Sequence, residues 1–225
     1  MIKKLLLSLI LCAGVFAFSE SQLKRALGSL ENFKNEKESV LKAEKDIGFY
    51  KQAAAEGDAQ AQYSLGVMYY KGEKVSKDTE KAIELWTKAA ELGYEQAQFN
   101  LGVMYETGEG VIQNKQKAFE LYTKAANQGY PKAQCNLGIM YEEGVGVNQD
   151  TQKALELYMK AANQGDAIAQ FILGLKYEKG EDVIQDNKKA LELFTRAAEQ
   201  GYLEAQIHIL NILKISKNKK GAVFY

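Results

Sequence analysis

The chain repeats itself every 36 residues, and that period limits the possible folds more than any other feature. The pair Leu65–Gly66 recurs as Leu101–Gly102, Leu137–Gly138 and Leu173–Gly174. Gly57, Gly93, Gly129, Gly165 and Gly201 keep the same spacing, as do Ala61, Ala97, Ala133, Ala169 and Ala205. A unit this short cannot bury its apolar face alone, so successive units must stack into a solenoid. Four complete units are expected, at 58–93, 94–129, 130–165 and 166–201.

Each unit reads as a pair of helices. In unit one the first covers about Ala59 to Tyr70, and the second lies within "TEKAIELWTKAAELG". Gly72 suits a left-handed helix end. Asp78, Asn114, Asp150 and Asp186 sit at the N-cap of the second helices, where a side-chain oxygen can accept from the first turn. Val75, Val111, Val147 and Val183 should tuck the connecting loops onto the core. Gly66, Gly102, Gly138 and Gly174 fall inside the first helices, where glycine costs about 1 kcal/mol relative to alanine. Close approach of neighbouring helix backbones is the expected compensation. A single proline, Pro131, stands in a first turn, where its missing N–H is harmless.

The ends read as caps. Residues 20–57 are expected to form N-terminal capping helices, with "DIGFYKQAAAEG" matching the second helix of a half-unit. Residues 202–215 match a first helix, although Leu210 and Leu213 replace the periodic glycine and tyrosine. Residues 216–225 read as a frayed basic tail.

The unit, A-x-x-x-L-G-x-x-Y-x-x-G-x-x-V followed by K-A and A-A-x-x-G, closely resembles the Sel1-like repeat over roughly residues 46–213. That resemblance implies an all-α, right-handed superhelix of antiparallel helix pairs, related to the tetratricopeptide repeat and used for protein–protein contact. One exported bacterial branch of that family carries paired cysteines and a beta-lactam-binding or -hydrolysing label. Its cysteine sites correspond here to Ala54 and Gln62, Ala90 and Gln98, Ala126 and Gln134, Ala162 and Gln170, and Ala198 and Gln206. No disulfide of that kind is expected, and beta-lactam hydrolysis stands as an alternative resting on the label alone.

Residues 1–19 have two lysines, an apolar run from Leu5 to Phe18 and small residues near the end, the layout of a signal peptide cleaved after Ala17 or Ser19. The apolar run is too short for a span of about 20 residues. Export to the periplasm or beyond, with no membrane span in the mature chain, is therefore expected. Loss of Lys3 and Lys4 with the leader leaves 27 basic against 29 acidic residues. Such a balance offers no strong field for nucleic acid. Cys12 would leave as well, so Cys135 remains as a single thiol, expected to pack half-buried.

Residues able to carry catalysis are scarce. His208 is the one histidine, and it reads as a surface residue of the cap. No Cys/His/Asp cluster has metal spacing, and the glycines follow the structural period rather than a phosphate loop. Three S-x-x-K matches, at Ser21, Ser39 and Ser216, lie outside the repeats and lack the companion motifs of serine beta-lactamases. No cofactor, metal or catalytic residue is assigned.

Binding is the better-supported expectation. A helical wheel of the first helix gathers Ala61, Leu65, Met68 and Tyr69 on one side and Gln60, Tyr63, Val67 and Tyr70 on the other. In tetratricopeptide-like stacks the second side lines a concave groove. Its rows read Tyr63, Phe99, Cys135, Phe171 and Tyr70, Glu106, Glu142, Glu178. Asn100 and Asn136 stand where related repeats hydrogen-bond an extended peptide. The expected site is a partly apolar trough edged by three carboxylates, taking a protein or peptide partner with a cationic segment. A structural spacer, its aromatics merely packing between units, is the second alternative.

Overall fold

The computed structural model describes residues 47–221, with side chains as far as Lys214. The chain divides after Phe49, and the unit from Tyr50 onward carries the repeats. The leader at 1–19 and most of the N-terminal cap lie outside the described residues. Among the described residues every regular element is helical. After α1 (50–55 within this unit) come α2 (Ala59–Lys71), α3 (Thr79–Glu91), α4 (Glu95–Thr107), α5 (Lys115–Asn127) and α6 (Pro131–Glu143). Then follow α7 (Thr151–Asn163), α8 (Ala167–Lys179), α9 (Asn187–Glu199) and α10 (Leu203–Gly221). Each helix packs on its neighbours in sequence, most extensively within a hairpin, so the assembly is an α-solenoid of helix pairs.

Local chemistry sets the helix limits. The side chains of Asp78, Asn114, Asp150 and Asp186 accept from backbone N–H groups in the first turns of α3, α5, α7 and α9. Gly72, Gly108, Gly144 and Gly180 end the first helices at φ of 72°, 80°, 69° and 76°. Only glycine adopts that left-handed backbone without strain. The cap helix α10 runs on to Gly221, into the stretch read as a frayed tail.

The interior glycines have a different purpose from the expected backbone contact between units. A Cβ on Gly66 would lie 2.6 Å from Nε1 of Trp86, and one on Gly102 would lie 2.5 Å from Cε1 of Tyr122. At Gly138 and Gly174 the ring atoms, of Tyr158 and Phe194, would be 2.7 and 2.6 Å away. Each glycine is a notch for a ring from the second helix of its own repeat. Those four rings are fully buried and centre the core of each hairpin.

A ladder of glutamines joins one repeat to the next. Gln62, Gln98, Gln134 and Gln170 are buried, and each Nε2 donates to the carbonyl of Ala54, Ala90, Ala126 or Ala162 at 3.1–3.3 Å. These are the pairs that carry cysteines in the cysteine-rich branch; here a side-chain-to-backbone hydrogen bond stands in their place. The Oε1 atoms of Gln98, Gln134 and Gln170 accept from Gln128, Gln164 and Gln200. In repeat one Leu92 occupies that glutamine position, and Gln62 Oε1 is buried without a hydrogen-bond partner among the described residues. An unsatisfied buried acceptor costs roughly 1–3 kcal/mol. Leu92→Gln should therefore stabilise the protein by about 1 kcal/mol, raising its melting temperature by roughly 2–4 °C. An unchanged or lower melting temperature would show that the orphan acceptor is already satisfied by water.

Candidate functional site

The aromatic row of the first helices is built into the repeat junctions. Tyr63 packs on Tyr94 at 5.1 Å between ring centroids, Phe99 on Tyr130 at 5.3 Å, and Phe171 on Tyr202 at 4.8 Å. Each partner tyrosine immediately precedes the next first helix, so the row is half-buried rather than free. At repeat three both members change: Cys135 takes the aromatic position and Asp166 the tyrosine position. Cys135 is fully rather than half buried, and burial, then the charge of Asp166, pushes its thiol well above the ordinary cysteine value. A thiol held protonated is a packing group, not a nucleophile.

The carboxylate row differs from the expected free edge, because each member has a partner inside the chain. Glu106 Oε2 accepts from the Tyr122 hydroxyl at 2.6 Å, and Glu142 Oε2 from Tyr158 at 2.6 Å. These are the rings seated over Gly102 and Gly138, and burying their hydroxyls requires an acceptor. In repeat four the ring is Phe194, which has no hydroxyl, and Glu178 lies 2.7 Å from His208 Nδ1 instead. His208 is thus half-buried, stacked on Phe194 at 4.9 Å, not a free surface residue. In repeat one Tyr70 fills the row and packs on Trp86 at 5.4 Å, its hydroxyl donating to Glu109.

Burial first, and the hydrogen bond to a carboxylate second, hold Tyr122 and Tyr158 above the usual tyrosine range. For Tyr122 a hydrogen bond from Asn136 acts in the opposite direction. Raised folded-state values leave stability intact below pH about 10 and remove it as pH climbs, because the unfolded chain releases protons that the folded chain keeps. Alkaline titration followed by phenolate absorbance should leave two tyrosines un-ionised until the fold collapses. Tyr158→Phe should flatten the loss of stability. Full tyrosine ionisation with circular dichroism unchanged would contradict this.

Four candidates do converge. Tyr63, Tyr70, Phe99 and Asn100 line one cavity of about 350 Å³ between repeats one and two, with Val67, Val103 and Trp86 completing its walls. Lys71 and Met104 also border it. Walls of this kind accept apolar side chains, and the Asn100 carboxamide makes no hydrogen bond of its own among the described residues. Asn136, Glu106, Glu142, Phe171 and Glu178 are not part of this cavity. Trp86, expected on the packing face of the second helix with Ala82, Leu85 and Ala89, also reaches this cavity; with Tyr122, Tyr158 and Phe194 it forms an aromatic row at the repeat period. Two further hollows lie elsewhere, one of about 170 Å³ bordered by Leu101, Tyr105 and Leu121, the other of about 410 Å³ beside Pro131 and Ile168. Among the described residues no group of His, Cys, Asp and Glu could hold a metal ion, and no helix is long and apolar enough to cross a membrane.

The family model described as "Sel1 repeat" matches residues 59–94, 95–130, 131–166 and 167–202. A protective antigen from uropathogenic Escherichia coli with an SLR fold is 40% identical at TM-score 0.65, over 71% of this chain and 34% of its own. The present chain thus spans about a third of that relative. A Sel1 repeat protein from Oxalobacter formigenes is 31% identical at TM-score 0.68, over 79% and 80% of the two chains. The immunity protein Pa5087 from Pseudomonas aeruginosa is 29% identical at TM-score 0.50, over 71% and 59%. No curated protein matches.

Proposed function

Because the chain belongs to the Sel1 repeat family, whose solenoid is a protein–protein interaction fold, we propose that it is a non-catalytic scaffold holding an extended segment of a partner protein. The segment lies along the first helices and is anchored between repeats one and two. The convergence of Tyr63, Tyr70, Phe99 and Asn100 on one cavity carries this reading. An apolar side chain of the partner fills the cavity while the free Asn100 carboxamide bonds the adjacent peptide group. A cationic residue of the partner would meet Glu106, whose hydrogen-bond partner Tyr122 is neutral. The scaffold works in the cell envelope, exported by the leader at 1–19, so the protein recovered there should begin at Phe18 or Glu20.

Capture from envelope extract, followed by binding kinetics with the recovered partner, tests the reading. Buried aromatic anchors typically contribute 2 kcal/mol or more, so Phe99→Ala should weaken binding by roughly 30-fold, mostly through faster dissociation. Asn100→Ala should act in the same direction. Glu106→Gln should slow association and reduce its salt dependence. Equal binding by wild type and Phe99→Ala/Asn100→Ala would rule this groove out.

A further inference from the structure

On α10 the side turned away from the core is apolar and uncovered among the described residues. Leu203, Ile207 and Leu210 are 67%, 61% and 59% exposed, whereas Ala205 and Ile212 on the opposite side are buried. Scattered apolar side chains on a surface are ordinary, but three in one helical stripe mark an interaction site. Their spacing of four and then three residues is that of a coiled-coil seam.

The register indicates what does not cover the stripe. Leu210 stands where Gly66, Gly102, Gly138 and Gly174 provide the notch for a ring of the following helix. With that notch filled, a second helix of this repeat pattern has no place for its aromatic. The stripe suits a helix bearing side chains of similar size. Charge indicates which one. α10 carries Glu204 in its first turn and Lys214 ten residues later, both exposed.

We propose that α10 pairs antiparallel with α10 of a second copy of this chain about a two-fold axis. With Ile207 of each copy against Leu210 of the other, the contact is self-complementary, as two-fold symmetry requires. The same alignment sets Lys214 of each copy opposite Leu203 of the other, one residue along the helix from the oppositely charged Glu204. A parallel pair would instead place Glu204 against Glu204 and Lys214 against Lys214. Dimerisation also gives the assembly two first-helix grooves, which would bind a repetitive partner with avidity.

Light scattering and sedimentation equilibrium of the purified protein over a wide concentration range provide the test. The expected result is a reversible monomer–dimer equilibrium. Ile207→Lys/Leu210→Lys should be monomeric while keeping wild-type helicity and melting, since neither side chain belongs to the core. Glu204→Lys alone and Lys214→Glu alone should each weaken the dimer severalfold, and the two together should restore it. A wild-type protein that stays monomeric, or an Ile207→Lys/Leu210→Lys variant that stays dimeric, overturns the proposal. Failure of the double reversal to restore the dimer overturns the antiparallel arrangement.

Discussion

Gly102→Leu is expected to destabilise the protein by about 2–3 kcal/mol, a loss typical of overpacking a filled core. The reason is local and geometric. Even the first side-chain carbon would sit 2.5 Å from Cε1 of Tyr122, a fully buried ring whose hydroxyl is held by Glu106. The ring cannot turn aside without leaving that hydroxyl unsatisfied. Gly102→Ala is the sharper test, because helix propensity alone predicts a gain of about 1 kcal/mol. The close contact predicts a loss instead, so the two explanations differ in sign. Removing the ring should relieve the conflict: in a Tyr122→Ala background, Gly102→Leu should cost far less than in wild type. Urea melts of these five proteins measure all of this, and a Gly102→Ala protein more stable than wild type would show that the ring does not occupy the notch.

Lys176→Ala is expected to be nearly as damaging. Met68, Met104 and Met140 occupy this position in the other repeats, but repeat four has a lysine that is only 4% exposed. Its ammonium lies 2.5 Å from Glu142 of the preceding repeat and 2.8 Å from Asp182 in its own loop. Burial draws the Lys176 pKa down, but hydrogen bonds to Asp182 and Glu142 outweigh that and hold it above the ordinary lysine value. Breaking a dry ion pair costs about 3–5 kcal/mol. Both carboxylates here keep about a third of their surface in water, so a loss of ~2 kcal/mol is expected. Lys176→Met restores the apolar side chain of the other repeats, fills a similar volume and lets Asp182 turn to solvent, while Glu142 keeps its hydrogen bond from Tyr158. It should change stability by less than about 1 kcal/mol or improve it. If the methionine variant is as unstable as the alanine one, the ion pair itself holds repeats three and four together.

The leap from sequence to site was uneven for a physical reason. Period, helix limits and caps depend on contacts within a few residues, such as Asp78 accepting from Lys81 N–H or Gly72 in the left-handed region, and these are legible in any one unit. The repeat itself required stacking, because no hairpin of this size buries its own apolar face. Which side of the stack each periodic residue serves is not a local property. Glu106, Glu142 and Glu178 line up on a wheel whether they face solvent, a ring or a histidine. Only the packing of α4 on α5 brought Tyr122 across a gap of sixteen residues to Glu106. Likewise Gln98 reaches the Ala90 carbonyl, and Lys176 reaches Glu142, only because neighbouring repeats dock on one another. The sequence alone determined an α-solenoid and the places of its glycines. Tertiary packing decided that those glycines hold aromatic rings, that two of the three carboxylates bind the hydroxyls of those rings, and that Tyr63, Tyr70, Phe99 and Asn100 line a cavity between repeats one and two. A period marks equivalent positions, but what each position touches depends on the docking of neighbouring helices, which no single unit encodes.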